Sequence, residues 1–197
     1  MKQLLIFTSL VLVFAALCCF IPTRADMQIY SGVVRLHVLA NSDSEKDQRI
    51  KLLVRDAVLS DIESITSGAS SAEEASAKIA DNVGNIRELV RATLSSLGED
   101  VPAAVTLSEE YYPERSYGDV SFPSGKYTSL KIMLGEASGQ NWWCVLYPAV
   151  CTSGAKASSV LLQSGFSTEQ INILTDEERP VYKIKFKLLE FLGSAFS

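Results

Sequence analysis

The sequence predicts an α+β domain, a mainly antiparallel sheet with two amphipathic helices packed on it, behind a cleaved N-terminal signal peptide. Three observations lead there. An apolar run from Leu4 to Ile21 carries no charge. Two later stretches, from Ile50 to Ile65 and from Ile79 to Leu97, place apolar residues at steps of three and four, the period of a half-buried helix. Around them lie short segments in which apolar and polar residues alternate, the period of a strand.

At the N-terminus, Lys2 precedes the apolar run, Pro22 breaks it, and Thr23-Arg24-Ala25 sets small residues third and first before Asp26, the pattern a signal peptidase accepts. Cleavage is expected after Ala25. Residues 1–25 are then the signal peptide and 26–197 a single secreted domain with a looser C-terminal part, 152–197. An uncleaved anchor is the alternative, because about 18 apolar residues just suffice to span a bilayer. Cys18 and Cys19 lie inside the run and read as small hydrophobes: Leu17 and Cys18 stand where lipoprotein processing wants a small residue.

Removing Lys2 and Arg24 from 18 basic residues leaves 16 against 23 acidic ones, a formal charge of −7. Nucleic acid is therefore not an expected partner, since that affinity rests on phosphate neutralisation. Only Cys144 and Cys151 remain after cleavage, with six residues between them and Pro148 helping the chain to turn. In an oxidising compartment a disulfide is expected, and closing so short a loop removes about 2–3 kcal/mol of unfolded-state entropy. Two buried free thiols are the alternative. Redox catalysis usually wants two intervening residues.

Val33–Ala40 reads as a strand, with Val34, Leu36, Val38 and Ala40 on one face and Arg35 and His37 on the other. Asn41-Ser42-Asp43-Ser44 ends it, and Ser42 with Glu45 has capping-box spacing, so a helix should begin there and stop at Gly68. Ser71 with Glu74 opens the second helix, which Gly98 and Pro102 end and which Gly84 is expected to bend or break. Ala104–Tyr111, Tyr117–Phe122, Tyr127–Glu136 and Trp142–Tyr147 read as strands, with Pro123-Ser124-Gly125 a tight turn. The Tyr127–Glu136 strand should bury one face. Trp142–Tyr147 is apolar on both, so it is either central and covered twice or carries a sticky surface. A loop over 152–159 should lead to a short element near Val160–Leu162, a short helix over Ser167–Leu174, and a strand passing into a helix over Val181–Phe196.

Known catalytic patterns are missing. One histidine excludes a His-Glu-x-x-His zinc site, and there is no Gly-x-Ser-x-Gly elbow, Asp-Thr/Ser-Gly signature or glycine-rich phosphate loop. The Asn41-x-Asp43-x-Glu45 run imitates a calcium loop but has Lys46 and Leu52 where glycine and glutamate belong. No cofactor or metal is expected. His37 could serve as general base with Asp43 or Asp119 as orienter and a serine nucleophile, against the plainer reading of a hydrogen-bonded packing residue.

Arg35-Leu36-His37-Val38-Leu39-Ala40-Asn41-Ser42-Asp43 and Asn141-Trp142-Trp143-Cys144-Val145-Leu146-Tyr147-Pro148, with Tyr117-Gly118-Asp119 and Phe122-Pro123-Ser124-Gly125-Lys126-Tyr127, resemble the stage II sporulation protein R family. The likeness runs to about Cys151 and is looser beyond. It implies an exported developmental signal of endospore formers, secreted from the forespore into the space between forespore and mother-cell membranes. There it would activate a membrane-embedded aspartic protease that processes a pro-sigma factor, with no chemistry of its own. The expected partner-binding residues are His37, Asn41, Asp43, Asn141, Trp142 and Trp143. The alternatives are an envelope hydrolase using His37, or a membrane-surface binder using residues 181–196.

Overall fold

A computed structural model describes residues 2–19, 24–151 and 154–175; the expected break at Pro22, the 152–153 part of the loop and the Val181–Phe196 element lie outside them. The chain divides into two compact units, one of residues 1–27 and 176–197, the other of residues 28–175. In the first, helix α1 spans Lys2–Cys19, 18 residues, which at about 1.5 Å per residue is a little shorter than a bilayer's hydrocarbon core. No helix among the described residues is long and apolar enough to cross a membrane. Helix α2, Arg24–Ser31, leads into the second unit.

That unit is the predicted α+β domain. Strands β1 (Val34–Leu39), β2 (Ala103–Tyr112), β5 (Gly125–Leu134) and β6 (Asn141–Tyr147) form a sheet in the order β2-β5-β1-β6, and β3 (Arg115–Tyr117) with β4 (Val120–Phe122) forms a hairpin. The sheet is mainly antiparallel, but β1 runs parallel to β5, with Leu36 opposite Leu130. The strand expected over Tyr117–Phe122 is split at Gly118, whose φ of +60° makes the hairpin turn.

Helices α3 (Glu45–Ile65) and α4 (Ala72–Ser96) pack on one face. Ile50, Val54, Val58 and Ile62 of α3 and Ile79, Ile86, Val90 and Leu94 of α4 meet Leu36, Val38, Leu130, Ile132 and Cys144. The α3 cap is two residues later than expected. Ser44 Oγ accepts the Asp47 N–H at 3.1 Å, because Ser42 donates its hydroxyl to the Asp47 carboxylate instead. The α4 cap is the expected Ser71, whose Oγ accepts the Glu74 N–H at 3.1 Å. The Ser70 N–H and hydroxyl hold the Glu74 carboxyl down at about 2.

Gly84 does not break α4, which runs through it for 25 residues. A Cβ there would meet nothing within 4 Å. Gly84→Ala should therefore stabilise the domain by about 0.5–1 kcal/mol by restricting the unfolded chain. A urea melt should show a higher midpoint with unchanged slope.

The expectation of one buried sheet face gives way to two. On the side away from α3 and α4, Ile29, Tyr112, Phe122, Tyr127 and Val145 pack with Leu161 of helix α5 (Ala157–Gln163) and Ile171 and Leu174 of helix α6 (Thr168–Thr175). The second layer is built from short elements and from polar side chains that carry their own partners. Ser129, fully buried, accepts the Tyr112 hydroxyl at 2.7 Å. β6 is an edge strand, yet its two faces feed both cores: Cys144 and Leu146 lie in one and Val145 in the other.

Candidate partner-binding surface

Strand alternation sends Arg35 and His37 from β1 to the face opposite α3 and α4, where both are buried, His37 at 4% exposure. The His37 ring stacks on Trp143, centroids 3.6 Å apart and planes 16° from parallel. Its Nδ1 lies 2.9 Å from the Glu110 carboxylate and its Nε2 lies 2.8 Å from the Asn141 carboxamide. Asp43 and Asp119 are not its orienters. Asp43 accepts the Gln140 N–H, and Asp119 accepts the Ser158 N–H and hydroxyl at the start of α5. With both ring nitrogens engaged, His37 is a strut under Trp143.

Glu110 collects donors. Lys131 Nζ donates at 2.8 Å and Ser129 Oγ at 3.1 Å, besides His37. Burial pulls the Glu110 carboxyl upward, but the hydrogen bonds and charges of Lys131 and His37 outweigh it and hold it below its ordinary 4.5. A group lowered by folding contributes stability that is complete above its unfolded value and lost as pH falls through the folded one. Glu110→Gln should thus cost about 1–3 kcal/mol at neutral pH. It should also flatten the loss of stability below about pH 4.5, leaving the part due to Asp47, Glu74 and Asp119, which are lowered as well. Stability measured against pH for both proteins checks this.

Asn41 and Asp43 brace the loop before β6. Asn41 Oδ1 accepts the Glu136 N–H at 2.9 Å, the Asn41 carbonyl accepts the Ser138 hydroxyl at 2.7 Å, and Asp43 Oδ1 accepts the Gln140 N–H at 2.7 Å. Buried Lys51 adds a bond from Nζ to the Gln140 carbonyl at 2.9 Å. Asn141 and Asp43 are exposed, while Asn41, Trp142 and Trp143 are half-buried. Trp142 packs on the helix side under the Arg55 guanidinium, 4.8 Å from the ring centre, and Trp143 packs on the other side, 4.5 Å from Tyr112.

All six predicted residues therefore converge on one end of the sheet, with His37 beneath the surface. Both tryptophans line a cleft of ≈560 Å³, whose other walls include Tyr117, Gly118, Asp119, Cys151 and Lys156. Cys144 and Cys151 are disulfide-bonded, Cα atoms 6.2 Å apart, within the span such a bond reaches. No group of side chains able to hold a metal ion occurs among the described residues.

Sequence reasoning missed Arg35 and Glu110. Arg35 is fully buried among rings, its guanidinium carbon 4.3 Å from the centre of Tyr112 and 4.9 Å from that of Tyr127. A charge on a strand with apolar neighbours was the available signal. Glu110 gave none, since 73 positions separate it from His37.

Comparison with known proteins bears on the whole domain. The family model for stage II sporulation protein R matches residues 30–157. The stage II sporulation protein R of Bacillus subtilis (strain 168) is 36% identical over 182 residues, covering 83% of this chain and 81% of the relative. No solved structure matches.

Proposed function

The chain belongs to the stage II sporulation protein R family, a group with a role in sporulation, and from that premise we propose that it is an exported signal rather than an enzyme. Secreted from the forespore into the space between the two membranes, it activates a membrane-embedded aspartic protease of the mother cell by binding its active arrangement preferentially. The protease then processes a pro-sigma factor. The observation that carries this reading is the family match across most of the domain. The uncharged run from Leu4 to Ile21 supports export. The engagement of both His37 nitrogens supports binding over hydrolysis.

The test is to express the full chain with the protease and the sigma-factor precursor in a cell lacking its own trigger. Processing that depends on this chain supports the proposal. A protease that stays silent overturns it.

Trp143 is the expected anchor, since half-buried tryptophans at an exposed edge are frequent hot spots. Trp143→Ala should lower activation at least about tenfold, or 1.4 kcal/mol, under conditions where circular dichroism shows the domain folded. A loss that only tracks the unfolded fraction would make the ring a core residue.

A further inference from the structure

We propose that the outer edge of β6 takes up an extended, proline-free segment of the partner protease as an added strand, seated in the cleft beside Trp142 and Trp143; this rests on the functional reading above. Proteins normally blunt an exposed strand edge with charge, proline or a covering segment. β6 has seven residues and none of them is charged. Among the described residues, only its second half has a covering partner. The Val145 N–H points away from β1 and donates to Cys151 Sγ at 3.3 Å, so the disulfide-tethered turn through Pro148 occupies that stretch of edge. From Asn141 to Val145 the pairing with β1 is regular, Leu39 opposite Asn141 and Arg35 opposite Val145. Alternation along such a ladder turns the backbone N–H and C=O of Trp143 and Asn141 outward with those of Val145.

The cleft lies beside this strand. Consecutive side chains of a strand leave on opposite faces, and Trp142 and Trp143 pack on opposite sides of the sheet. Both tryptophans border the cleft, whose remaining walls are the β3–β4 turn at Tyr117–Asp119 and the chain around Cys151 and Lys156. The edge itself offers main-chain donors and acceptors at strand spacing, with the cleft and both tryptophans beside it. What that chemistry recognises is an extended backbone, in the manner of strand addition to a sheet edge. His37 and the Asn41–Asp43 loop hold the first half of the edge in place, by the contacts to Trp143, Asn141 and Gln140 already given.

The experiment adds the purified protease in detergent micelles to the full chain. It follows amide hydrogen exchange over residues 140–146 and affinity for the wild type, Asn141→Ala and Asn141→Pro. Proline removes an N–H that makes no bond to β1, whereas alanine removes only the side chain. Exchange slowed at the Asn141 and Trp143 amides, with proline weakening binding about tenfold beyond whatever alanine costs, supports the proposal. Should the proline variant fail to fold, the wild-type exchange pattern alone decides.

Binding and activation with no protection of β6 would overturn the docking edge while leaving the functional reading intact. Protection that appears in the chain alone and grows with its concentration would assign the edge to a second copy, and would overturn it too. No activation by the wild type removes both readings.

Discussion

Arg35→Ala should cost about 3–5 kcal/mol, a large part of a small domain's net stability. The side chain is fully buried, with four rings around it, Tyr112, Tyr127, Tyr117 and Phe122, their centres 4.3 to 5.4 Å from its guanidinium carbon. It donates from Nη2 to the Tyr117 hydroxyl at 2.7 Å and from Nε to the Cys144 carbonyl at 3.3 Å. Alanine would leave a void inside the rings and take a donor from each of those oxygens. Arg35→Met should cost much less, because it fills the same space and removes a buried cation whose Nη1 has no hydrogen-bond partner among the described residues. Urea midpoints of the two variants separate packing from charge. Equal losses would show that the cation itself, held over the rings, supplies the stability.

Gly139→Ala should be the most damaging change outside the core, at about 2–3 kcal/mol. A Cβ there would overlap the Ser42 carbonyl and approach the Ala40 side chain. Neither can retreat freely. The Ser42 carbonyl accepts a bond from Gln48 Nε2 at 2.8 Å, and the Gly139 N–H itself donates to Ala40 at 3.0 Å. The loop would have to lift away from the β1–α3 connection and release the bond from the Gln140 N–H to Asp43 and the bond that the Gln140 carbonyl accepts from Lys51. Asn141 follows directly, so signalling should fall further than the unfolded fraction accounts for. Thermal melts beside the processing assay measure both. Unchanged stability would mean that the two loops are less tightly joined than their hydrogen bonds imply.

Local pattern was enough for the helices and for most strands. The steps of three and four through Ile50–Ile65 and Ile79–Leu97 located α3 and α4, and alternation located β1, β2 and β5, because the face shared by helices and sheet imprints both periods, whereas β6 was read from a short run apolar on both sides. The same reasoning could not order the strands. Alternation is identical whether β1 pairs parallel or antiparallel, so the β1–β5 pairing was invisible. It also set Arg35 and His37 on the second face of their strand without showing what buries that face, since burial by α5, α6 and the β3–β4 hairpin comes from short segments with weak periodicity. The candidate surface was legible as strings of residues. The reason it coheres was not: the strut from Glu110 through His37 to Trp143 spans all four strands of the sheet and exists only once their register is set.

The position of β1 inside the sheet governs when the molecule comes into being. β1 is the first strand to be made, yet it sits between β5 and β6, and its partners are Thr128–Met133 and Asn141–Tyr147. A chain threaded N-terminus first across a membrane, as the proposed export requires, cannot close its sheet early. Such distant pairings wait for long loops to be gathered. Until Tyr147 has crossed, β1 lacks one of its two neighbours and Trp143 has no strut to rest on. β6, the last strand among the described residues, is also the edge proposed above to meet the partner, so the proposed signal is complete only once the chain through Tyr147 has crossed.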